Sequence, residues 1–246
     1  MTTVFTKNYT VTDMHTDAFN RAKPSALLFF AQDIATCHAT TLCGSWESLQ
    51  KKHLFWAVSR HKLKVLRPPL LGETLTLKTW PMPTTRTAYP RAVVGYDEAG
   101  NLVFSLGSLW VLMDMDSRGM ILPGKSGVEV SGTLRGNELA APGSILPKPL
   151  QNHACRCVCY TDLDRNGHMN NTRYLDWIDD LLPSIYHAGH PVREITVCYL
   201  SEAREGQKVD MEWELLEGHC LQVNAHRERT DMPEKQERVF SAQILF

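Results

Sequence analysis

The sequence shows almost no imbalance of charge. Its 26 lysines and arginines stand against 27 aspartates and glutamates, a net charge of -1. No polybasic run stands out, which makes nucleic acid and anionic membrane poor partners. Long apolar runs are missing too. No segment approaches the ~18 consecutive apolar residues of a membrane-spanning helix. The N-terminal stretch Met1-Thr2-Thr3-Val4-Phe5-Thr6-Lys7 has no basic segment followed by an apolar core, so it reads as carrying no secretory leader. Zinc-type cysteine spacing is also absent. Of the seven cysteines, Cys155, Cys157 and Cys159 alternate, which on a strand puts all three on one face. The expectation is buried, reduced thiols in a reducing cytoplasm.

What is present is an ordinary globular composition, 43% hydrophobic and 22% charged over 246 residues. That length is comfortable for two domains of about 120 residues each. Two amphipathic segments organise the chain. The first runs from Pro24 to Thr36, with Pro24 suited to a first helical turn. The second runs from about Asn170 to Tyr186, its apolar residues Tyr174, Trp177, Ile178 and Leu181 spaced three and four apart. After each helix the pattern changes to period two. Strands are expected at Phe55 to Val65, Glu73 to Pro81, Ala88 to Tyr96 and Leu102 to Met113. A second set is expected at Glu194 to Tyr199, Lys208 to Leu216, Cys220 to Arg229 and Glu237 to Phe246. A short strand precedes each helix, at Lys7 to Thr12 and at Ala154 to Thr161.

The order is strand, helix, four strands, twice over. It predicts an α+β fold in which each half is an antiparallel sheet wrapped around a central helix. Pairing two such units removes exposed sheet edges. The domains expected are 1–122 and 150–246, joined by a Gly- and Pro-rich linker at 123–149 that crosses the surface. The halves share wording: Thr12-Asp13-Met14 precedes the first helix and Thr161-Asp162-Leu163 the second. Aligning on it sets His15 opposite Asp164, Asp17 opposite Asn166 and Phe19 opposite His168. On that reading the first half kept the scaffold and lost the chemistry, leaving one active site per chain.

The chemistry-bearing stretch runs from Tyr160 to Tyr174. Polar residues crowd a loop between a strand and a helix start. Gly167 permits tight backbone geometry, Asn170 or Asn171 can cap the helix, and free N–H groups at the helix start favour negative charge. Asp164 and His168 are ionisable, Asn166 supplies an amide, and an extended loop aims all three to one side. Such a set suits hydrolysis of a thioester, whose carbonyl must be held by donors while a base or nucleophile acts.

Asp164-x-Asn166-x-His168-x-Asn170-Asn171-x-x-Tyr174 before an apolar helix resembles the signature of the acyl-acyl carrier protein thioesterases, of the hotdog-fold superfamily. Phe55-Trp56 with Arg60, and Thr79-Trp80-Pro81, are similar to family wording in the first half. The resemblance implies a tandem double hotdog covering nearly the whole chain. It also implies an acidic catalytic residue on the strand after the second helix, where Glu202 matches best and Glu205 is the fallback. Plant members commonly carry a cysteine after that glutamate; Ala203 stands here, which argues against a cysteine nucleophile. The resemblance implies acyl carrier protein as partner, with Arg165, Arg173 and Arg204 as docking cations, and no metal or organic cofactor. Two divisions of labour stay open: Glu202 activates water while Asp164 holds Asn166 and His168, or Asp164 itself attacks or acts as base. The first half would shape the acyl-chain tunnel, with Phe29 and Phe30. The alternatives are an acyl-CoA thioesterase, an enoyl-thioester hydratase or dehydratase, and a non-catalytic acyl binder. The chain is expected to be cytoplasmic, as a monomer or homodimer.

Overall fold

The computed structural model describes residues 4–43, 46–136, 138–229, 232 and 235–246; the first three residues of the N-terminal stretch lie outside them. The chain forms two compact units, Met1–Pro142 and Gly143–Phe246.

In the first unit, β1 (Phe5–Thr10) leads into α1 (Pro24–Cys43), the short α2 (Trp46–Gln50), then β2 (Leu54–Val65), β3 (Thr74–Pro81), β4 (Tyr89–Tyr96), β5 (Leu102–Asp114) and β6 (Met120–Ile121). The sheet is antiparallel in the order β1-β3-β4-β5-β2, with β6 added beside β5. Helix α1 extends past Thr36, since no glycine or proline falls before Cys43 to stop it. It is buried around most of its circumference: Leu27, Leu28, Phe30, Ala31 and Ile34 are all enclosed, as expected of a helix apolar on nearly every face. Each such Leu, Ile or Phe contributes about 1.5–3 kcal/mol. The exposed stripe is narrow and contains Phe29. Residues after β6 return over this unit. Trp80 Nε1 donates to Glu138 Oε1 at 3.0 Å, and Arg60 Nη1 donates to the Pro142 carbonyl at 3.2 Å.

The second unit repeats the plan with β7 (Asn152–Cys157), α3 (Asn171–Asp179), α4 (Ser184–Gly189), β8 (Glu194–Tyr199), β9 (Lys208–Leu216), β10 (Cys220–Glu228) and β11 (Gln236–Leu245). Its antiparallel order is β8-β11-β10-β9-β7. The Tyr174 ring on α3 meets Phe240 of β11 at 4.9 Å and Tyr199 of β8 at 5.6 Å. Gly143 to Lys148 cross the sheet, accepting from Gln222 and Asn224 through the Leu146 and Lys148 carbonyls. These are the two antiparallel hotdog units, one after the other along the chain, that the sequence predicts. No helix among the described residues is long and apolar enough to cross a membrane.

Two expectations need correction. The second helix is not continuous. It ends at Asp179 and restarts at Ser184, because Pro183 has no N–H to give and drives its predecessor out of the helical region. The alternating thiols are not buried either: Cys155, Cys157 and Cys159 are exposed. Among the described residues strand β7 pairs with β9 alone, and its face with Cys155 and Cys157 looks to solvent.

His61 on β2 is 3% exposed and sits against Trp110. Burial pushes its pKa down to about 3. The folded state therefore holds it neutral while the unfolded chain takes up a proton near the ordinary value of about 6.5. Its contribution is complete above that value and is lost as pH falls toward about 3, at up to about 1.4 kcal/mol per pH unit. His61→Gln should flatten the dependence of the melting temperature on pH between about 6.5 and 4; an unchanged slope in thermal melts would count against this assignment.

Candidate active site

The loop from Cys159 to Asn170 is built by its own backbone. Cys159 opens a 3-10 turn at Tyr160–Asp162, and its N–H donates to Asp162 Oδ2 at 2.9 Å. The chain then reverses: Asp164 N–H donates to the His168 carbonyl at 2.7 Å, and Gly167 N–H to the Asp164 carbonyl at 3.0 Å. Leu163 and Met169 pair across the reversal. Gly167 has φ +76°, a conformation open to glycine at little cost. Asp164 braces the turn from within, its Oδ1 accepting from Asn166 N–H at 2.8 Å and His168 N–H at 3.3 Å. Asn166 Nδ2 lies 3.4 Å from Asp164 Oδ2.

Two further bonds fix where the loop points. Met169 N–H donates to the Ala203 carbonyl at 2.8 Å, and Asn170 N–H to the Asp162 carbonyl at 2.8 Å. The first stitches the loop to the segment after β8 and carries Glu202 to His168. The two side chains meet at 3.1 Å, Nε2 to Oε2. His168 is almost enclosed, with 10% of its side chain exposed, against 33% for Glu202, so the pair lies at the rim rather than in the core. An ionised carboxylate can only accept, so Nε2 carries the proton. Arg204 Nη2 lies 4.0 Å from the same Glu202 oxygen.

Asp164, Asn166, His168 and Glu202 thus form one connected cluster. Glu205 is exposed in the following turn. Asn170 is the cap of α3, its Oδ1 accepting from Thr172 N–H at 3.0 Å. Tyr174, which closes the motif in the sequence but reads there as an apolar helix position, feels the charge of the cluster. Burial pushes its hydroxyl well above the ordinary tyrosine range, Arg227 opposes this, and the carboxylates of Glu202 and Asp164 add to it. Its place in the motif, one turn into the helix, was the available signal. Arg173 is engaged with Asp176 at 3.1 Å. Among the described residues, no cluster of His, Cys, Asp and Glu is arranged to hold a metal ion. A polar groove lined by His153, Cys155, Asp210, Glu212 and His226 lies elsewhere on this unit and touches none of the four.

The first unit contains the same loop, and its hydrogen bonds correct the internal alignment. Asp17 N–H donates to the Arg21 carbonyl at 2.8 Å, and Asn20 N–H to the Asp17 carbonyl at 3.2 Å. Asp17 Oδ1 accepts from Phe19 N–H at 2.8 Å and Arg21 N–H at 3.0 Å. Thr16 pairs with Ala22 as Leu163 does with Met169. Asn20, with φ +59°, stands where Gly167 does. Ala22 N–H donates to the Pro69 carbonyl at 2.7 Å, as Met169 does to Ala203. The counterparts of Asp164, Asn166, His168 and Glu202 are therefore Asp17, Phe19, Arg21 and Pro68. The shared Thr-Asp wording misled by two residues: Thr12 caps its 3-10 turn, whereas Thr161 lies inside the other. The loss of the chemical set from the first unit stands, with Asp17 alone retained.

Two successive hotdog units, with the Asp164–Asn166–His168–Glu202 cluster in the second, define the class. The Acyl-ACP thioesterase N-terminal domain matches residues 2–122 and the Acyl-ACP thioesterase C-terminal domain residues 151–241. The chain belongs to the acyl-ACP thioesterase family. The palmitoyl-acyl carrier protein thioesterase of Gossypium hirsutum is 25% identical over 214 residues, 81% of this chain and 52% of its own length. The dodecanoyl-[acyl-carrier-protein] hydrolase of Cinnamomum camphora is 24% identical over 72% of this chain and 50% of its own length. The chain spans about half the length of these curated relatives. In fold it is similar to an acyl-ACP thioesterase from Bacteroides thetaiotaomicron, with a TM-score of 0.82 at 20% identity over 99% of this chain and 98% of that one. It is equally similar to the 12:0-ACP thioesterase from Umbellularia californica, with a TM-score of 0.82 at 18% identity over 100% and 97% of the two chains.

The cap offers a direct check of the local geometry. Asn170→Ala should cost about 0.5–2 kcal/mol of stability and Asn170→Ser should recover most of it. Urea denaturation reads both, and equal stability of all three proteins would remove Asn170 from the capping role.

Proposed function

We propose that this protein hydrolyses fatty acyl thioesters of acyl carrier protein to a free fatty acid and the carrier's phosphopantetheine thiol. The observation that carries the reading is the contact of His168 Nε2 with Glu202 Oε2 at 3.1 Å. Membership of the family supports the carrier protein as partner.

In this reading Glu202, held in direction by the His168 N–H, takes a proton from water as the water oxygen attacks the thioester carbonyl carbon. The electron pair of the C=O bond moves to oxygen. Asn166 Nδ2 and the Asn171 N–H at the open end of α3 receive the developing charge, where a helix start leaves donors without intrahelical partners. The tetrahedral species collapses, the C–S bond breaks, and the sulfur leaves with the proton that Glu202 had taken. Water is consumed, acid and thiol are formed, and the carboxylate is restored. Tyr174 lines the buried side.

The first unit supplies the acyl-chain site, and Phe29, half-exposed on α1, is an apolar contact for the chain. Arg204 and Arg165 are the docking cations, although Arg204 also faces Glu202. The free and exposed thiols fit a reducing compartment such as cytoplasm. Acyl-CoA hydrolysis is the second reading, because the reacting bond is the same in both substrates.

The test is thiol release from carrier-protein and CoA thioesters of graded chain length. The native protein should turn over carrier-protein thioesters faster than the CoA thioesters. His168→Ala and Glu202→Gln should each lower kcat by about 10²–10⁴-fold with the fold intact by circular dichroism. Preference for CoA would move the second reading forward, and no release from any thioester would overturn both.

A further inference from the structure

The loop that carries Asp164 is drawn twice in this chain, once with chemistry and once without. Each copy closes with the same backbone bond, Asp164 N–H to His168 carbonyl and Asp17 N–H to Arg21 carbonyl, at 2.7 and 2.8 Å. In each copy the aspartate Oδ1 accepts the N–H two residues on, at 2.8 Å in both. It also accepts the N–H four residues on, at 3.3 Å for Asp164 and 3.0 Å for Asp17. Aspartate favours turns for this reason, since its short carboxylate substitutes for a backbone acceptor.

The copies differ in everything else that could act on a thioester. Phe19 stands for Asn166, Arg21 for His168 and Pro68 for Glu202. The first loop has no amide donor, no imidazole and no second carboxylate at these positions. Its aspartate makes the same two backbone bonds nevertheless, so the requirement for aspartate comes from the turn. The remaining oxygen tells the same story. Asp17 Oδ2 takes Arg21 Nε at 3.0 Å and Nη2 at 2.9 Å, while Asp164 Oδ2 faces the Asn166 amide at 3.4 Å. In both loops the carboxylate is turned onto its own turn. Glu202 comes from a different segment and meets the imidazole directly.

We infer that Asp164 is a positioning residue: it sets the backbone that aims Asn166 and His168, and neither attacks the thioester nor activates water. This rests on the hydrolytic reading above and decides between the two divisions of labour that the sequence leaves open.

Asparagine separates the roles, because its side-chain oxygen accepts the same two N–H groups but is neither base nor nucleophile. Asp164→Asn should keep kcat within about tenfold of the native enzyme, with an unchanged pH profile. Asp164→Ala, which removes the acceptor, should lower kcat by about a hundredfold or more through misplacement of the neighbouring groups. Hydrogen exchange of the 164–168 amides should quicken in the alanine variant and not in the asparagine variant. Asp17→Ala should loosen its own loop in the same measurement and leave kcat unchanged. The inference is overturned if Asp164→Asn is as inactive as Glu202→Gln while its loop amides stay protected. It is equally overturned if multiple turnovers in ¹⁸O-water place the label in the Asp164 carboxylate, because only hydrolysis of an acyl bond to that carboxylate puts it there. An inactive native enzyme would instead defeat the hydrolytic reading itself, so the two failures are told apart by the native protein alone.

Discussion

The backbone hydrogen bond from Met169 N–H to the Ala203 carbonyl ties the Asp164 loop to the segment after β8 at the site itself. The Val158 bonds with Gln207 and Gly206 join the same two stretches a little further off. With the loop so tied, the imidazole of His168 reaches the carboxylate of Glu202. Backbone groups at this depth must find partners, and Ala203 is fully buried. The first unit makes the equivalent bond from Ala22 to Pro69, so the stitch belongs to the hotdog unit. The second unit places chemistry on a junction the fold already makes.

That separation of scaffold and chemistry runs through the molecule. Both units keep the 3-10 turn, the reversal, a positive-φ residue at its apex and an aspartate bracing it from inside. Both then start a helix whose buried side meets the sheet. In the first unit the loop closes on itself through the Arg21–Asp17 ion pair, and Phe19 lies under the same guanidinium. In the second, the corresponding positions are polar and the neighbouring segment supplies a carboxylate.

The helices of the two units answer different demands. Helix α1 is long and enclosed on nearly all sides, so its residues are chiefly core. Helix α3 is short, stops before Pro183, and presents its capped start to the reactive loop. Asn170 satisfies the Thr172 N–H at this start through its side chain and the Arg173 N–H through its carbonyl. Tyr174, one turn later, feels the charge of Glu202 and Asp164 and packs its ring on Phe240 and Tyr199 in the sheet.

Much of this was legible in the sequence. The change from a helical to a two-residue period, twice over, determined two α+β units, because burying one face of a strand and most of a helix leaves those periods in the chain. The polar run from Asp164 to Tyr174 marked the reactive loop, and Gly167 and Asn170 announced its turn and its cap. Local residue preference is not enough for the rest. The break at Pro183 needed the proline to be weighed against a persuasive apolar pattern. The exposure of Cys155 and Cys157 depends on which face of β7 meets solvent, and alternation alone is symmetric between faces. The alignment of the two halves followed shared letters, whereas the hydrogen bonds follow geometry and run two residues away. Tertiary structure alone decided that Glu202 meets His168 and that Asp164 turns inward onto its own loop. The first is a matter of distance between two chain segments that only the folded unit brings together; the second depends on which backbone donors the turn leaves within reach of the carboxylate.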